Sequence, residues 1–391
     1  MVAVMRPFGE IVASPFEVNH TVNNLEELVK YLKSLNGETR IIMEYTGKYF
    51  QPIARYLHKA GFFVSVVNAI LVHEYGQNTL RKAKTDKKDA IKLANYAIDR
   101  WLELVLYIPE EDVRQMLKNY SRQYNQYQKL KVALKNNLIS LLDQTFPDVN
   151  TLFSSPPRKE DGHEKWIDFA AKFWHCECVY DLSENAFKER YSKWCKKTNY
   201  NYNDLKARHI YASSRVHVST LPKNDLTKQL INQAILQLNT VSETLATLKR
   251  EMLHLSALLP EYSIVMAMHG VGESLGPQLM AEIGDVRRFH SKHALVAFAG
   301  IDAPPYQSGT FTAQSRNISK RGSAMLRKTL FQAMACVLKL STVDDPIYQY
   351  LDKKRAEGKH FYVYMMTGAN KFLRIYYARV KEHLDSLDLS A

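Results

Sequence analysis

Three carboxylates near the start of the chain have the chemistry to hold a divalent metal ion. Glu44 ends a short apolar run of strand type at residues 39–45. Asp86 and Asp89 follow Thr85, whose hydroxyl is typical of a helix N-cap, so both aspartates would project from one face of the first helical turn. Carboxylate oxygens are ligands for Mg²⁺, and paired ions can stabilise both the attacking and the leaving oxygen of a phosphodiester.

The two aspartates also have a purely structural interpretation. They would complement the helix dipole and pair with neighbouring lysines. These lysines are Lys82, Lys84, Lys87 and Lys88. Glu44 favours the metal site, because an acid at the end of an apolar strand lies where α/β sheets usually bind ligands.

A serine beside a glycine lies in a long stretch that contains no acid. Residues 303–343 carry no Asp or Glu but six positive charges. They would create a positive electrostatic field, which favours binding of phosphate groups. The positive charges of the stretch are Arg316, Lys320, Arg321, Arg327, Lys328 and Lys339. Ser308 could attack a phosphodiester there while neighbouring cations stabilise the charge on the phosphorane. The alternative is an ordinary polar turn.

A glycine-containing turn, Met268-His269-Gly270-Val271-Gly272, precedes a helical run at residues 275–283. Glycines between two helices let backbone amides approach a phosphate, as in helix-hairpin-helix modules. Two glycines in a turn are also common without any such function.

The first hundred residues predict the elements that would position the acids. Val2–Met5 and Ile11–Val18 flank a turn and predict a hairpin. Helical spacing at 24–35, before residue 57 and at 86–101 alternates with apolar runs at 39–45 and 62–67. This alternation predicts an α/β sheet with helices packed on its faces.

Two heptad series predict long helices in the middle of the chain. The first runs from Val113 to Leu141 with Lys131 as its only charged member, and the second runs from Ile231 to Leu259. They could pair within one chain or between chains. The aromatic-rich segment between them predicts a small helical module, and its His175, Cys176, Cys178 and Cys195 lack the usual spacing of a zinc site.

Composition excludes several classes of protein. With 391 residues and 46% hydrophobic residues, the chain predicts two or three globular domains. No run approaches the ~18 apolar residues of a membrane span, no signal-peptide layout is present, and four cysteines fit a reducing compartment, so we expect a cytoplasmic protein. The net charge of +13 favours a polyanionic partner.

Together, these segments resemble the DEDD transposases of bacterial insertion sequences of the IS-one-ten type, which include pilin-gene invertases and bridge-RNA-guided recombinases. At the N-terminus the resemblance rests on residues 42–47 (IMEYTG) and 84–90 (KTDKKDA). At the C-terminus it rests on 269–272 (HGVG), 281–285 (AEIGD), 288–289 (RF), 298–301 (FAGI), 307–309 (QSG) and 319–322 (SKRG).

The resemblance implies an α/β plus α architecture with five parts. These are a RuvC-like domain of RNase H fold at 1–108, a first coiled-coil helix at 109–145, an aromatic-rich helical insert at 146–222, a second coiled-coil helix at 223–259, and a mostly helical transposase domain with a helix-hairpin-helix-like element at 260–391.

The resemblance also implies the site residues. Glu44, Asp86 and Asp89 match the second, third and fourth acids of the DEDD tetrad, which would hold Mg²⁺, and Ser308 matches the serine that forms a covalent link to DNA. The nucleic-acid-binding residues would be Gly270, Gly272, Arg316, Lys320, Arg321 and Arg327. The position of the first acid would fall before Met1, so we expect a chain shortened by a misassigned start codon or by decay of the element.

The implied function is that of a transposase or site-specific recombinase that cuts and rejoins DNA through the serine. Its partners would be the ends and target of a mobile element, a guide RNA encoded by that element, and further copies of the chain in a dimer or tetramer. It would act at the nucleoid and not at a membrane. Two alternatives remain open: a RuvC-like metal-dependent junction nuclease, and a nucleic-acid-binding remnant without catalytic activity.

Overall fold

The computed structural model describes residues 1–75, 85–305, 307–312, 316–340 and 342–390, and it leaves the side chains of Ser308 and Ser390 undescribed. Lys82 and Lys84, the proposed neighbours of the aspartates, lie outside these ranges. The chain divides into two compact units, Met1–Glu110 and Glu111–Ala391.

The strands of the first unit form two pairs. They are β1 (Val2–Arg6), β2 (Glu10–Phe16), β3 (Arg40–Glu44) and β4 (Phe63–Val67). The predicted hairpin is confirmed, because β1 and β2 pair antiparallel around a turn at Pro7–Gly9. The other two strands pair parallel, in register from Arg40 opposite Phe63. Within the described ranges these pairs do not hydrogen-bond to each other, so the single sheet expected from the sequence is not formed there.

Helices alternate with these strands as the sequence predicts. They are α1 (Val22–Lys33), α2 (Phe50–Lys59), α3 (Ala69–Tyr75) and α4 (Asp86–Asp99). The apolar faces of α1 and α2 meet β4 in one core, where Leu28, Leu57 and Val64 are buried. Helix α4 packs against β1, β2 and β3, so it joins the two strand pairs through side chains instead of a backbone ladder.

The second unit begins with six helices, two of which are long. They are α5 (Asp112–Leu142), α6 (Lys165–Lys172), α7 (Glu177–Tyr180), α8 (Glu184–Lys197), α9 (Asp204–Val216) and α10 (Asp225–Ala257). Leu117, near the start of α5, shares a core with Met252 near the end of α10. Leu138, near the end of α5, shares a core with Ile231 near the start of α10. The long helices therefore pair antiparallel within one chain, which is one of the two arrangements left open by the heptads.

Only some of the predicted heptad positions of α5 are buried. Leu117 and Leu138 are fully buried, whereas Tyr120, Tyr124 and Lys131 are only half-buried. Lys131 does not face an apolar partner on α10. Its Nζ lies 3.7 Å from Oε1 of Glu164, a residue of the segment between the long helices.

That segment forms an aromatic core on the end of the helix pair. Phe169 stacks on Phe173 at a centroid distance of 4.7 Å, and Tyr191 stacks on Trp194 at 5.6 Å. His175 is buried, and its ring nitrogens contact the carbonyl of Leu221 and the amide of Glu177. The predicted helical module is therefore present, and its histidine is occupied by backbone contacts.

The rest of the second unit is mostly helical. Its elements are α11 (Tyr262–Met266), α12 (Leu275–Ile283), α13 (Lys292–Ala299), β5 (Gln307–Ser308), β6 (Phe311–Thr312), α14 (Ala324–Leu340), α15 (Pro346–Ala356) and α16 (Phe361–Ser390). A buried ion pair between Arg114 and Glu261 ties α5 to the start of α11. Among the described helices, none is long and apolar enough to cross a membrane.

Candidate nucleic-acid site

The structure places the acidic residues on the elements that the sequence predicts. Helix α4 begins at Asp86, and the hydroxyl of Thr85 accepts a hydrogen bond from the Lys88 amide at 3.3 Å, so Thr85 is the N-cap. Asp86 is exposed and Asp89 is half-buried in the first turn. Glu44 is the last residue of β3, the strand against which α4 packs. Strand end and helix start thus belong to one unit.

These acids do not form a ready metal site. Among the residues that the structure describes, no three His, Cys, Asp or Glu side chains come close enough to share an ion. Glu44, Asp86 and Asp89 therefore do not fit a divalent ion as they are arranged here. A metal complex would need at least one of them to move, or a further ligand.

The glycine turn packs against α14. Gly270 has a φ of +76°, and a Cβ built there would lie 2.4 Å from Cγ2 of Val337 and 2.8 Å from the carbonyl oxygen of Ala333. Gly272 is exposed, and a Cβ there would meet nothing within 4 Å. The first glycine is thus required by close packing against a helix, while the second leaves its backbone open to a ligand.

His269, in the same turn, contacts a helix cap. Its Nδ1 lies 2.5 Å from Oδ2 of Asp345, while Oδ1 of that aspartate accepts from the amides of Ile347 and Tyr348 at the start of α15. The aspartate is buried, whereas the histidine is largely exposed. This contact anchors the turn to α15.

Ser308 lies in a two-stranded hairpin. Strands β5 and β6 pair antiparallel, with Gln307 opposite Thr312 and Ser308 opposite Phe311. Gly309 follows with a φ of +56° and open space around it, and Phe311 is exposed. The backbone of Ser308 therefore lies beside a tight, accessible turn, while its side chain lies outside the described part of the structure.

The basic loop after this hairpin, residues 316–322, is held against the end of α13. The Ser319 hydroxyl donates to Asp302, and the Arg327 guanidinium donates to the carbonyl of Ala299 at 3.0 Å. A Cβ on Gly322 would lie 2.3 Å from the carbonyl oxygen of Phe298, so only glycine fits there. The Ser323 hydroxyl then caps α14 through the Leu326 amide at 3.1 Å, which confirms the predicted helix.

A large cavity opens beside this loop. It has a volume of about 1410 Å³ and lies among α13, α14, α15, α16, residues Ile301 and Ala303, and the residues from Arg316 to Lys320. Among the residues that the structure describes, no Asp or Glu lines it. Five of its cations make no ion pair or side-chain hydrogen bond with any part of the chain that the structure describes. These are Lys292, Arg316, Lys320, Arg374 and Arg379.

The other cations of the cavity have partners. Lys328 donates to the Asn125 side chain at 2.8 Å, and Lys371 donates to the Pro346 carbonyl at 2.7 Å. Arg327 is held at Ala299. Three of the predicted nucleic-acid-binding residues, Arg316, Lys320 and Arg327, thus line one cavity, whereas Arg321 and the two turn glycines do not.

Sequence reasoning missed the contribution of the last helix. Lys371, Arg374 and Arg379 lie well beyond the acid-free stretch. The available signal was the spacing of 367, 370, 371, 374 and 378, which places small, polar and basic side chains on one face of a helix. That face lines the cavity.

Comparison with known proteins identifies the family. Residues 1–147 match the family model of the IS110-type DEDD transposases, described as "Transposase". Residues 262–349 match the model described as "Transposase IS116/IS110/IS902 family". The chain belongs to the IS110 family of transposases. It is therefore an enzyme of DNA transposition or recombination, and membership of this family implies that it binds DNA. The resemblance found in the sequence is confirmed.

Individual relatives agree with this assignment. The chain is 21% identical to the pilin gene-inverting proteins of Moraxella bovis and Moraxella lacunata, over 88% of this chain and 80% of each relative. It is also 26% identical to the insertion element IS900 uncharacterized 42 kDa protein of Mycobacterium paratuberculosis, over 31% of this chain and 29% of that protein. The second matched region, 262–349, contains the Ser308 hairpin and the basic loop.

Proposed function

We propose that this IS110-family enzyme cuts and rejoins the DNA of an insertion sequence through Ser308. The observation that carries the proposal is the position of the hairpin. The chain leaves the lining of the cationic cavity at Ala303, forms β5 and β6, and returns to that lining at Arg316. A serine in this segment is flanked on both sides by residues of a cavity that attracts phosphates.

Cleavage by the serine needs no external energy source. The Ser308 oxygen forms a bond to phosphorus and gives up its proton, and the bond from phosphorus to one sugar oxygen breaks, so that this oxygen leaves as a protonated hydroxyl. In rejoining, a hydroxyl of the new strand attacks the phosphoserine and returns the serine as the leaving group. Arg316 and Lys320 would stabilise the extra negative charge on the phosphorane in both steps.

An adduct assay tests the nucleophile. Wild-type protein incubated with DNA of the element ends should retain labelled DNA on a denaturing gel, and Ser308→Ala should abolish that band. Thr310→Ala is the matched control, because it removes a hydroxyl from the same hairpin and should retain the band. A band that survives in Ser308→Ala would exclude Ser308 as the nucleophile.

Divalent metal use belongs to the proposal through the family, whose DEDD acids correspond here to Glu44, Asp86 and Asp89. Because these carboxylates do not form a metal-binding group as they stand, we assign no step of strand exchange to the ion. Calorimetric titration of the protein with Mg²⁺ should show binding that Asp86→Asn weakens at least tenfold. Glu27→Gln, on the exposed face of α1, should leave the titration unchanged. Equal binding by both variants would remove Asp86 from the site.

A RuvC-like junction nuclease is the second candidate. The observation in its favour is that all three described acids lie in the first unit, on a strand end and a helix start, so hydrolysis would not need the hairpin. A nuclease would cut junction DNA without a covalent band, and Ser308→Ala would cut as well as wild type. The same gel therefore separates the two functions.

The further partners proposed here are a guide RNA from the same element, which would choose the target by base pairing, and additional copies of the chain. The family resemblance supports both. The cationic cavity supports a nucleic-acid partner of either chemistry, because phosphates of RNA and DNA carry the same charge.

A further inference from the structure

We propose that the cavity between α14 and α16 binds a single nucleic-acid strand, with its phosphates on the cationic rim and a base stacked on an aromatic ladder at Tyr362. This inference deepens the proposed function, on which it rests for the presence of a nucleic-acid substrate. It names the form in which that substrate enters the protein: unpaired, with its bases exposed.

The charge of the cavity calls for a polyanion. Arg374 and Arg379 on α16 and Lys292 on α13 are exposed, and no carboxylate of the described part of the chain lines the space between them. Such cations normally pair with neighbouring acids on a protein surface, as Lys381 and Arg287 do elsewhere in this unit. Unpaired cations around a concave surface concentrate a field that a row of phosphates would neutralise.

The floor of the cavity is apolar, which favours a single strand over a duplex. Among the lining residues, Ile301 is buried and Ile318 and Met366 are half-buried, whereas the five unpaired cations that form the rim are exposed. A duplex presents phosphates on its outside and encloses its base faces, so it would gain nothing from this floor. An unpaired strand exposes base faces that can be buried against apolar and aromatic side chains.

A ladder of three aromatic rings contributes two residues to the cavity lining. The Tyr362 ring is 5.8 Å from the Phe331 ring at an interplanar angle of 26°, and 5.7 Å from the His360 ring at 29°. Tyr362 is 62% exposed although it is aromatic, and Phe331 and Tyr362 both line the cavity. Nearly parallel rings that extend toward solvent offer a surface on which a base can continue the stack.

The size of the cavity fits a short stretch of polymer. Its volume of about 1410 Å³ exceeds the roughly 300–1,000 Å³ typical of small-molecule sites. Thr367 and Asn370, on the same face of α16 as Arg374, add half-buried polar groups to the lining. The arrangement thus provides charge, stacking and polar contacts without a surface that reads one particular base.

Fluorescence anisotropy with the full-length protein tests the proposal. The probes are a labelled 12-nucleotide DNA of mixed sequence, the RNA of the same sequence, and the corresponding DNA duplex. We expect one or both single strands to bind at least tenfold more tightly than the duplex. The stronger of the two identifies whether the strand is DNA or RNA. Equal or tighter binding of the duplex would overturn the proposal.

Two variants separate charge from stacking. Arg374→Gln should weaken single-strand binding roughly fivefold. It should also reduce the slope of the logarithm of the binding constant against the logarithm of the salt concentration by about 0.7, the value for one lost phosphate contact. Tyr362→Leu should weaken binding roughly fivefold or more while leaving the salt slope unchanged, because stacking releases no counterions.

Matched controls remove general effects of charge and aromatic content. Lys339→Gln changes one exposed cation on α14 outside the cavity, and Tyr180→Leu changes an exposed tyrosine on α7. Both should bind the strand as wild type does. If Arg374→Gln and Tyr362→Leu also behave like wild type, the cavity is not the binding site.

The test is independent of strand cleavage. Ser308→Ala should bind the single strand as tightly as wild type even where it forms no covalent band. Strand binding without an adduct in the wild-type protein would defeat the serine mechanism and retain the cavity proposal. Conversely, the wild-type protein could form the adduct while the cavity variants change neither the adduct yield nor the affinity for the strand. That result would retain the serine mechanism and defeat the cavity proposal.

Discussion

Single residues of this protein show how one residue type can be required for different reasons. Gly270 and Gly272 look equivalent in the sequence, and both suggest a phosphate-binding turn. In the structure, Gly270 has a positive φ and touches the backbone of α14, while Gly272 has neither constraint. Packing therefore accounts for the first glycine without any ligand, and only the second leaves room for one.

This difference predicts unequal effects on the free energy of unfolding. Gly270→Ala should lower the free energy of unfolding by about 3 kcal/mol, because the new Cβ meets Val337 and the carbonyl of Ala333 in a strained backbone conformation. Gly272→Ala should change it by less than about 0.5 kcal/mol. Urea unfolding followed by circular dichroism measures both, and equal destabilisation by the two variants would contradict the assignment.

Among the elements, the contact between α5 and the aromatic insert depends on one carboxylate. Glu164 accepts hydrogen bonds from Lys135 at 2.6 Å and from the Trp166 indole at 2.8 Å, and Lys131 lies nearby. Burial alone would raise the pKa of Glu164, but these hydrogen bonds and the positive charges outweigh burial and hold the pKa below its ordinary value. The two elements are therefore held together most strongly when Glu164 is ionised.

The lowered pKa predicts a pH dependence of stability. Because the folded-state pKa of Glu164 lies below its unfolded value of about 4.3, its contribution is complete at neutral pH and is lost as the pH falls through the folded-state pKa. Glu164→Gln should cost about 1–2 kcal/mol at neutral pH, and this difference should shrink as the pH falls below the unfolded value of about 4.3 and through the folded-state pKa.

Urea unfolding between pH 3 and pH 7 measures this effect. Glu189→Gln is the control, since Glu189 is an exposed residue of α8 with no side-chain partner among the residues described. It should unfold like wild type at every pH. A constant difference between Glu164→Gln and wild type over the whole range would contradict an ionised Glu164 as the cause.

At the scale of the whole molecule, the proposed chemistry is divided between the two units. Glu44, Asp86 and Asp89 belong to Met1–Glu110, and Ser308 belongs to Glu111–Ala391. Enzymes built in this way can combine groups from two copies of the chain, and the oligomer proposed above would allow that combination.

Mixed variants test the combination of copies. Asp86→Asn and Ser308→Ala should each be inactive in cleavage of element-end DNA. If one copy supplies acids to the serine of another, an equimolar mixture should recover about a quarter of wild-type cleavage, since half of randomly mixed dimers are hybrid and each has one intact site. A mixture that stays inactive would place acids and serine in the same copy.

Features that depend on local sequence pattern could be predicted before folding is considered. Apolar runs predicted the hairpin and the β3 and β4 strands, and heptad spacing predicted the long helices. The N-cap chemistry of Thr85 predicted the start of α4. Motif order along the chain determined the family, because it does not depend on where the chain folds back.

Contacts between residues far apart in the chain could be found only from the folded structure. Heptad spacing could not choose between pairing within and between chains, because it records a buried face and not its partner. The pairing of Lys131 with Glu164 and the packing of Gly270 on α14 both depend on contacts between distant segments. The cationic cavity likewise joins residues from Lys292 to Arg379. Spacing along the chain indicates the basic face of α16, but it does not show that this face meets residues from α13 and α14, because those contacts form only when the chain folds.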